Sequence, residues 1–255
     1  MLDHDRNQSV DLADYAAPQV QSYGSRIRVL VTETAEQLMI ARETAASLRG
    51  SEPVEARIPV AVSARHVHLS RDSVDRLFGN GYELKPSAAL RQPGHWIAEE
   101  RVTLEGPKGK LERVAILGPL RPRTQIEVSR TDSFQLGIDV PIRESGKLDG
   151  TPSVAIVGPA GRLVTDGLIV AARHIHTNAQ DAARLGLEDG ELVDIRVGDA
   201  HRGLTLERAL VRIGKDSFTE MHIDTDEANA AGIGPTSDGE LLPDQPATIQ
   251  QRKPA

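Results

Sequence analysis

The chain has 255 residues, which is enough for one large domain or two small domains with cores of their own. Hydrophobic residues make up 39% of the sequence but aromatic residues only 3%, so the core must be aliphatic, and stacking of bases on aromatic rings is excluded as a main binding mode. The formal net charge of −7 argues against nucleic acid or an anionic membrane as a partner, so an anionic substrate would need a local basic pocket.

The chain contains no cysteine, which excludes a disulfide framework, a cysteine-ligated zinc site and a cysteine nucleophile. Histidine and carboxylate are then the strong metal ligands that remain. No apolar run approaches the length of a transmembrane helix, and the N-terminus lacks the apolar stretch of a signal peptide. We therefore expect a cytoplasmic protein.

Residues 1–24 are polar and irregular, and this composition is typical of a mobile arm. Residues 27–48 have helical, roughly amphipathic periodicity, and Gly50 and Pro53 would end that helix. Two interpretations remain open. The helix could pack on its own domain, or it could be a detachable docking helix joined by a linker at 51–56. We predict that residues 1–56 are a separate N-terminal arm and helix.

From residue 58 onward the pattern changes to short strands and tight turns. Two turns of the form Gly-Pro-x-Gly, at 106–109 and 158–161, each join two apolar runs and predict hairpins. The other predicted elements are short helices at 72–78 and 179–185, a helical turn at 226–231, and strands at 192–197, 206–213 and 218–223. Many short strands with few short helices indicate small β-barrels.

An arginine followed by two alternating histidines occurs twice, as Arg65-His66-Val67-His68 and as Arg173-His174-Ile175-His176. Side chains at i and i+2 of a strand point to the same face, where two imidazoles can bind one Zn²⁺. One such pair is also compatible with a solvated strand edge. Its repetition favours a metal site and implies two related barrels.

Each pair needs a further ligand. His222 lies in a strand of alternating apolar residues and is a candidate for one pair, although a buried histidine with ordinary hydrogen bonds is the alternative. Three histidines with an open position are typical of a catalytic zinc site. Glu127, between Ile126 and Val128, is the candidate for the other pair, and the alternative is that it faces water.

The remaining histidines are weaker candidates. His4 and His201 are expected at the surface, and His95 is more often a surface residue than part of a pocket. Arg121 and Arg123, held between prolines, would suit a phosphate site because guanidinium binds phosphate through two parallel hydrogen bonds. An ordinary exposed turn is the alternative.

Several motifs together resemble one known family, the PduL-type phosphate acyltransferases, or phosphotransacylases. The resemblance runs in order from about residue 58 to 232, and its motifs are Val62-Ser63-Ala64-Arg65-His66-Val67-His68-Leu69, Gln92-Pro93-Gly94, Gly106-Pro107-Lys108-Gly109, Arg173-His174-Ile175-His176 and Met221-His222-Ile223-Asp224-Thr225-Asp226-Glu227-Ala228-Asn229. It implies reversible transfer of an acyl group between coenzyme A and inorganic phosphate.

The resemblance also implies a fold that is mainly β with short helices, built as two small β-barrels in a permuted, internally repeated arrangement plus the N-terminal helix. One barrel would comprise residues 57–64 with 172–234 and the other residues 65–171, followed by a disordered tail at 235–255. The resemblance further implies a homo-oligomer, namely a dimer, and packaging in a bacterial microcompartment as for some members, which here would use residues 27–48.

The family resemblance further implies a two-zinc site between the barrels. Carried over by position, one Zn²⁺ would be held by His66, His68 and Glu127, and the other by His174, His176 and His222. Arg121 would bind phosphate at the catalytic centre, and coenzyme A would contact Val62, Ser63, Ala64, Lys108 and Asn229. Ala115 stands where relatives often carry an arginine for coenzyme A, and whether Arg113 substitutes for it is left open.

The resulting hypothesis is direct attack of phosphate on the thioester of propanoyl-CoA or acetyl-CoA, with a thiolate leaving group and no protein nucleophile. Two other functions are considered. A zinc-dependent hydrolase also uses His-x-His at a strand end. Barrel enzymes of that class need about eight alternating helices, however, and this sequence predicts too few. A non-catalytic metal-binding component of a microcompartment would retain Zn²⁺ without affinity for coenzyme A.

Overall fold

The structure is a computed structural model that describes residues 57–234 and 237–242. All of these residues belong to one of the two structural units of the chain. The predicted N-terminal arm at 1–56, including the helix at 27–48, lies outside the described residues, as do residues 243–255. Among the helices in the described ranges, none has the length and apolar character needed to cross a membrane.

The described part of the chain forms fifteen strands and four short helices. Strands β1 to β15 are, in order, Arg57–Ser63, His66–His68, Pro86–Ala89, Trp96–Glu105, Lys110–Gly118, Gln125–Glu127, Ile142–Arg143, Val154–Val157, Arg162–Thr165, Leu168–Ala171, His174–Thr177, Leu192–Val197, Leu204–Ile213, Glu220–Asp224 and Ser237–Leu241. Helices α1 to α4 are Arg71–Phe78, Arg130–Leu136, Ala179–Leu185 and Thr225–Ala231.

One sheet closes into a barrel with the strand order β1-β14-β11-β13-β12-β15. Strand β1 runs parallel to β14 and antiparallel to β15, so the first strand of the described chain joins a barrel whose other strands come from its C-terminal part. Alternate residues of these strands point inward. The core they build is aliphatic, as the composition requires, with Ile58, Ile175, Ile195, Val211 and Met221 at or near zero exposure.

The second sheet has nine strands, β2 to β10, and curls into a half-barrel. Its central path runs β6-β2-β5-β4-β8, and its core is equally aliphatic, with Val67, Leu104, Ile116 and Ile126 fully buried. The predicted mainly β fold with short helices and two barrel-like sheets is therefore confirmed. Both predicted Gly-Pro-x-Gly hairpins are present, as β4–β5 and β8–β9.

Gly106 shows why the first hairpin turn needs glycine. A Cβ at this position would lie 2.2 Å from the carbonyl oxygen of Leu136 at the end of α2. The turn backbone therefore packs directly on the helix, and Lys108 donates its backbone N–H to that same carbonyl. Any larger residue at 106 would push the hairpin away from α2.

The predicted disordered tail at 235–255 is wrong for residues 237–241. These residues form β15, which pairs with both β1 and β12 and closes the barrel. Gly239 packs against Ile195, where a Cβ would lie 2.4 Å from the Ile195 side chain. The polar composition of this stretch is compatible with a strand because its residues alternate between core and surface, and because its backbone pairs on both sides.

The chain passes between the two sheets twice, and each passage directly precedes a histidine pair. Strand β1 of the barrel leads through residues 64–65 into β2, and β10 of the half-barrel leads through residues 172–173 into β11. Both pairs are consequently placed at the junction of the sheets.

Candidate active site

The first histidine group lies on strands β2 and β6 of the half-barrel. His66 and Glu127 face each other across the antiparallel ladder, with His66 Nε2 3.5 Å from Glu127 Oε2. The rings of His66 and His68 have centroids 5.1 Å apart. One potential ligand atom from each of His66, His68 and Glu127 lies within 4.8 Å of the others, and all three side chains are buried or nearly so. The structure thus brings together the predicted first group.

The second histidine group lies on strands β11 and β14 of the barrel. His174 faces His222 across this antiparallel ladder, and their rings stack with centroids 5.2 Å apart. His176 approaches both, at centroid distances of 4.8 Å from His174 and 5.1 Å from His222. The Nε2 atoms of His174 and His176 are 3.2 Å apart. The three rings of the predicted second group therefore lie side by side, although among the described residues only the first group has one ligand atom from each of three residues within 4.8 Å of the others.

Backbone carbonyls fix the tautomers of three of these imidazoles. The Nδ1–H groups of His66, His68 and His174 donate to the carbonyls of Ala64, Leu117 and Ala172 at 2.9, 3.2 and 3.0 Å. A carbonyl can only accept, so Nδ1 carries the proton and Nε2 has a free lone pair. A metal-binding histidine usually has this arrangement.

Burial keeps the imidazoles of His68, His174 and His176 neutral near physiological pH. It lowers the pKa of His68 to about 3, with further lowering by charge at His66 and Arg121. Burial likewise lowers the pKa of His174 to about 4 and that of His176 to about 3, assisted by the neighbouring histidines. Neutral imidazole is the form that binds a metal ion.

Glu127 remains ionised among these histidines. Burial acts to raise the pKa of its carboxyl group, but the electrostatic interactions with His66, His68, His174 and Arg121 outweigh that effect and lower the pKa below its usual range. Glu127 and His174 line the same cleft, so the carboxylate of the half-barrel lies close to the barrel.

A single cleft joins the two groups. It is lined by His66 and Glu127 from the half-barrel, by His174 and His222 from the barrel, and by both chain passages between the sheets, including Ser63, Ala64 and Ala172. The sequence repeat thus leads to one shared site.

The two arginines of the predicted anion site differ in their surroundings. Arg123 is exposed and bound to Asp149 at 2.7 Å and Asp166 at 3.1 Å, so its charge is already compensated. Arg121 is half-buried and donates from Nη1 to the Ser145 hydroxyl at 3.2 Å. Burial lowers the pKa of Arg121, charge at Glu127 opposes this lowering, and charge at Arg212 adds to it. Only Arg121 therefore retains the character of an anion-binding residue.

Sequence reasoning missed Arg212, Gln125 and Glu220. Arg212 lies beside His176 in the ladder of β11 and β13, and within residues 57–234 and 237–242 it forms no ion pair with a carboxylate. Gln125 donates to Glu127 Oε1 at 2.5 Å and to the Ser145 hydroxyl at 2.8 Å. A usable signal was present for two of them, because Gln125 and Glu220 each precede a predicted ligand by two residues on the same strand face.

The residues predicted to contact coenzyme A are partly at the cleft. Ser63 and Ala64 line it, whereas Val62 belongs to β1, Lys108 to the exposed β4–β5 turn and Asn229 to the exposed surface of α4. Ala115 lies directly beside His66 in the ladder of β2 and β5, and its neighbour on β4 is Arg101. Contact of these residues with coenzyme A stays a prediction.

Two other histidines have the surroundings of ordinary side chains. His201 is in an exposed turn at 199–203. His95 is half-exposed and its Nδ1 hydrogen-bonds with the Pro93 carbonyl at 3.1 Å, although its charge contributes to the lowered pKa of His176.

The donor set fits divalent metal ions. Ligand atoms on a tetrahedral Zn²⁺ with bonds of about 2.0–2.1 Å lie roughly 3.3–3.4 Å apart. The separations of 3.2 Å between His174 Nε2 and His176 Nε2 and of 3.5 Å between His66 Nε2 and Glu127 Oε2 are close to that value. Nitrogen and carboxylate ligands without cysteine suit Zn²⁺ at a site that keeps an open position.

Comparison with known proteins assigns the chain to a family. The family model for phosphate propanoyltransferase matches residues 59–234, which contain both histidine groups. The chain is 51% identical to the phosphate propanoyltransferase of Thermotoga maritima over 178 residues, covering 69% of this chain and 85% of that protein. It is 48% identical to that of Rhodopseudomonas palustris over 206 residues, covering 80% and 91%.

A third relative, the phosphate propanoyltransferase of Salmonella typhimurium, is 48% identical over 176 residues, covering 69% of this chain and 83% of that protein. The residues that the family model matches, 59–234, include every residue that lines the cleft. The chain therefore belongs to the phosphate propanoyltransferase family of acyltransferases.

Proposed function

We propose that this protein transfers a short-chain acyl group between coenzyme A and inorganic phosphate, giving an acyl phosphate, at a two-zinc site in the cleft. The observation that carries the proposal is the convergence of the two histidine groups on one cleft, with Arg121 and Arg212 near it and, within residues 57–234 and 237–242, in no ion pair with a carboxylate. Nitrogen ligands suit metal ions, and the arginines suit a phosphate.

His66, His68 and Glu127 would hold one Zn²⁺, and His174, His176 and His222 would hold the other. When bound, zinc would supply Lewis-acid polarisation of the thioester carbonyl or of phosphate, an effect worth several kcal/mol. The protein itself supplies fixed tautomers at three histidines and a low-dielectric setting for the charges.

Arg121 and Arg212 would bind the phosphate from opposite sides of the junction. Arg121 follows β5 of the half-barrel and Arg212 belongs to β13 of the barrel, yet their charges are close enough to lower the pKa of Arg121. Two cations that repel each other gain when an anion binds between them. Ser145, which accepts a hydrogen bond from Arg121, would help to orient this guanidinium.

Direct transfer needs no nucleophile from the protein. A phosphate oxygen attacks the thioester carbonyl carbon, the carbon–sulfur bond breaks, and the electron pair leaves with the thiolate of coenzyme A, which then takes up a proton from solvent. The arginines lower the entropic cost by holding phosphate in line with the carbonyl. The absence of cysteine from the chain is compatible with this route.

The acyl group is proposed to be propanoyl or acetyl. The relatives are named for propanoyl transfer, and the propanoyl and acetyl groups are both short enough for the same type of pocket. Assays with propanoyl-CoA and acetyl-CoA, each with phosphate, should show phosphate-dependent release of coenzyme A, with a higher kcat/KM for the preferred chain.

Substitution of a metal ligand tests the proposal directly. We expect His174→Ala to lose one Zn²⁺ per chain and to reduce acyl-phosphate formation by at least about a hundredfold, since loss of the metal removes several kcal/mol of transition-state stabilisation. His201→Ala, an exposed-turn histidine, is the matched control and should keep full activity. Full activity in His174→Ala would end the proposal.

Assembly and location form a separate part of the proposal. We propose a homodimer, as the family resemblance implies, and light scattering of the purified chain measures its mass. We also propose that residues 27–48 direct the enzyme into a bacterial microcompartment. Deletion of residues 1–50 should then leave the transfer rate unchanged and abolish encapsulation, and loss of activity would contradict this role.

A further inference from the structure

Glu220 is a buried carboxylate beside the second histidine group, and neither the proposed reaction nor the ligand sets use it. It is only 3% exposed and precedes His222 by two residues on β14, so both side chains point to the same face. In the ladder it lies opposite His176 on β11. A carboxylate buried to this extent needs partners for both oxygens.

One arginine and one histidine lie beside these two oxygens. Glu220 Oε1 accepts a hydrogen bond from Arg91 Nη1 at 2.9 Å, and Oε2 lies 3.4 Å from Nε2 of His222. That nitrogen is buried and makes no hydrogen bond of good geometry with any described residue. The His222 ring lines the cleft, and a proton on Nε2 that the carboxylate accepts would leave the Nδ1 lone pair for a metal ion.

Arg91 comes from the other sheet. It belongs to the turn between β3 and β4 of the half-barrel, which a hydrogen bond from Leu90 N to His95 O closes at 2.9 Å. The next residue, Gln92, bonds to both the carbonyl and the N–H of Phe218, at 2.9 and 3.3 Å. The Arg91 guanidinium also lies 5.9 Å from the centre of the Phe218 ring. The turn is thus attached to the start of β14, where Glu220 lies.

The first histidine group contains a counterpart of Glu220. Gln125 lies opposite His68 on β2 just as Glu220 lies opposite His176 on β11, and it donates a hydrogen bond to Glu127, the ligand two residues further on. An amide donor suits a carboxylate ligand, and a carboxylate acceptor suits an imidazole ligand. The same ladder position therefore supports a ligand in both halves of the repeat, with chemistry matched to that ligand.

We propose that Glu220 and Arg91 are positioning residues that fix the tautomer and orientation of His222, so that a contact from the half-barrel sets the affinity of the metal site in the barrel. This inference rests on the proposed two-metal function. Carboxylate partners of this kind orient metal-binding imidazoles, and their loss usually lowers metal affinity by about 10- to 100-fold.

The test measures metal retention rather than activity. The full-length chain is loaded with Zn²⁺, and its release to a chromophoric chelator is followed for the wild type and for Glu220→Gln, Arg91→Met and the double variant. We expect one of two Zn²⁺ ions to be held about 10- to 100-fold more weakly in each single variant, while the other is unchanged. The double variant should bind Zn²⁺ no more weakly than Glu220→Gln alone, because Arg91 acts through Glu220.

Two further variants separate positioning from general stability. Arg91→Lys keeps the positive charge and should restore most of the affinity. Arg162→Met breaks the exposed ion pair with Glu105, at 3.2 Å, and should leave both ions as in the wild type. Thermal unfolding of each metal-free variant checks the fold. Because the Arg91 side chain is half-exposed, we expect Arg91→Met to fold, so the test can use this variant if Glu220→Gln does not fold.

The outcomes are distinct. If both single variants fold and hold Zn²⁺ as tightly as the wild type, the positioning role is overturned while the proposed function stays in place. Equal weakening of both ions with a lowered unfolding temperature would also overturn it, since that is the result of a structural defect. A wild-type chain that binds no Zn²⁺ would overturn the two-metal proposal together with this inference.

Discussion

Arg121 and Arg123 are close in sequence but have opposite electrostatic roles. The carboxylates of Asp149 and Asp166 neutralise Arg123 at the surface, whereas Arg121 contacts only a serine hydroxyl among the ion-pair and hydrogen-bond partners of its side chain in the described residues. A charged group that is partly buried without a counter-ion is destabilising unless a ligand supplies the opposite charge. The difference between the two residues therefore indicates which one a phosphate would meet.

Replacement of Arg121 by lysine tests this difference. Lysine keeps the charge but loses the planar fork that binds two phosphate oxygens. Since a hydrogen bond to a charged group contributes about 1.5–3 kcal/mol, we expect Arg121→Lys to raise the KM for phosphate by roughly ten- to a hundredfold. The KM for acyl-CoA should change less.

Arg123→Lys is the control, because its partners are acidic side chains at the surface and not the cleft. Steady-state kinetics with phosphate as the varied substrate compare the two variants. An unchanged phosphate KM in Arg121→Lys, or an equal rise in Arg123→Lys, would contradict the assignment of Arg121.

Helices α2 and α4 occupy equivalent places in the two halves of the internal repeat, and their N-terminal ends are stabilised in the same way. Each begins with a capping box, made by Ser129 and Asp132 in α2 and by Asp224 and Glu227 in α4. Asp132 also forms an ion pair with Arg65 at 3.1 Å, and Glu227 forms one with Arg173 at 2.7 Å. Each of these arginines precedes a histidine pair. These arginines therefore connect each helix start to the adjacent chain passage between the sheets.

Loss of one cap should have a measurable but modest effect. In Ser129→Ala the backbone N–H of Asp132 loses its acceptor at 3.2 Å, so we expect the free energy of unfolding to fall by about 1 kcal/mol. That change corresponds to a fall of roughly 2–4 °C in Tm for a chain of this size.

Thr131→Ala alters an exposed residue of the same helix turn and serves as the control for calorimetry. A Tm decrease in Thr131→Ala as large as that in Ser129→Ala would show that the cap is not the cause. Catalysis should survive in both variants, because neither side chain lines the cleft.

The whole molecule depends on closure of the barrel by β15. This strand supplies backbone partners to β1 on one side and to β12 on the other, and β1 leads directly into the first histidine pair. Without β15 the barrel would have two exposed edges next to the strand that places His66.

Truncation tests this closure. A chain ending at residue 236 should unfold on the order of 10 °C below the full chain. Loss of β15 leaves several buried backbone groups unpaired, each at a cost of about 1–3 kcal/mol of stability, and each kcal/mol lowers Tm by about 2–4 °C. A chain ending at residue 242 retains β15 and should unfold like the full chain. Equal unfolding temperatures for the two truncations would contradict the role of this strand.

Local sequence alone was sufficient for the short-range features of this protein. The i, i+2 spacing identifies both histidine pairs, glycine and proline mark the β4–β5 and β8–β9 turns, and alternation singles out His222 and Glu127. Each of these features depends on neighbouring residues of one strand or one turn, so no knowledge of strand pairing is needed.

Only the tertiary structure decided which distant side chains share the site. Arg212 is placed beside His176, Glu220 between Arg91 and His222, and residues 237–241 against β1 by the register of strands far apart in the chain. Register depends on the packing of the two cores, and a shift by one residue would turn each of these side chains to the opposite face. Composition likewise did not reveal β15, because its stability comes from pairing on both edges rather than from its own residues.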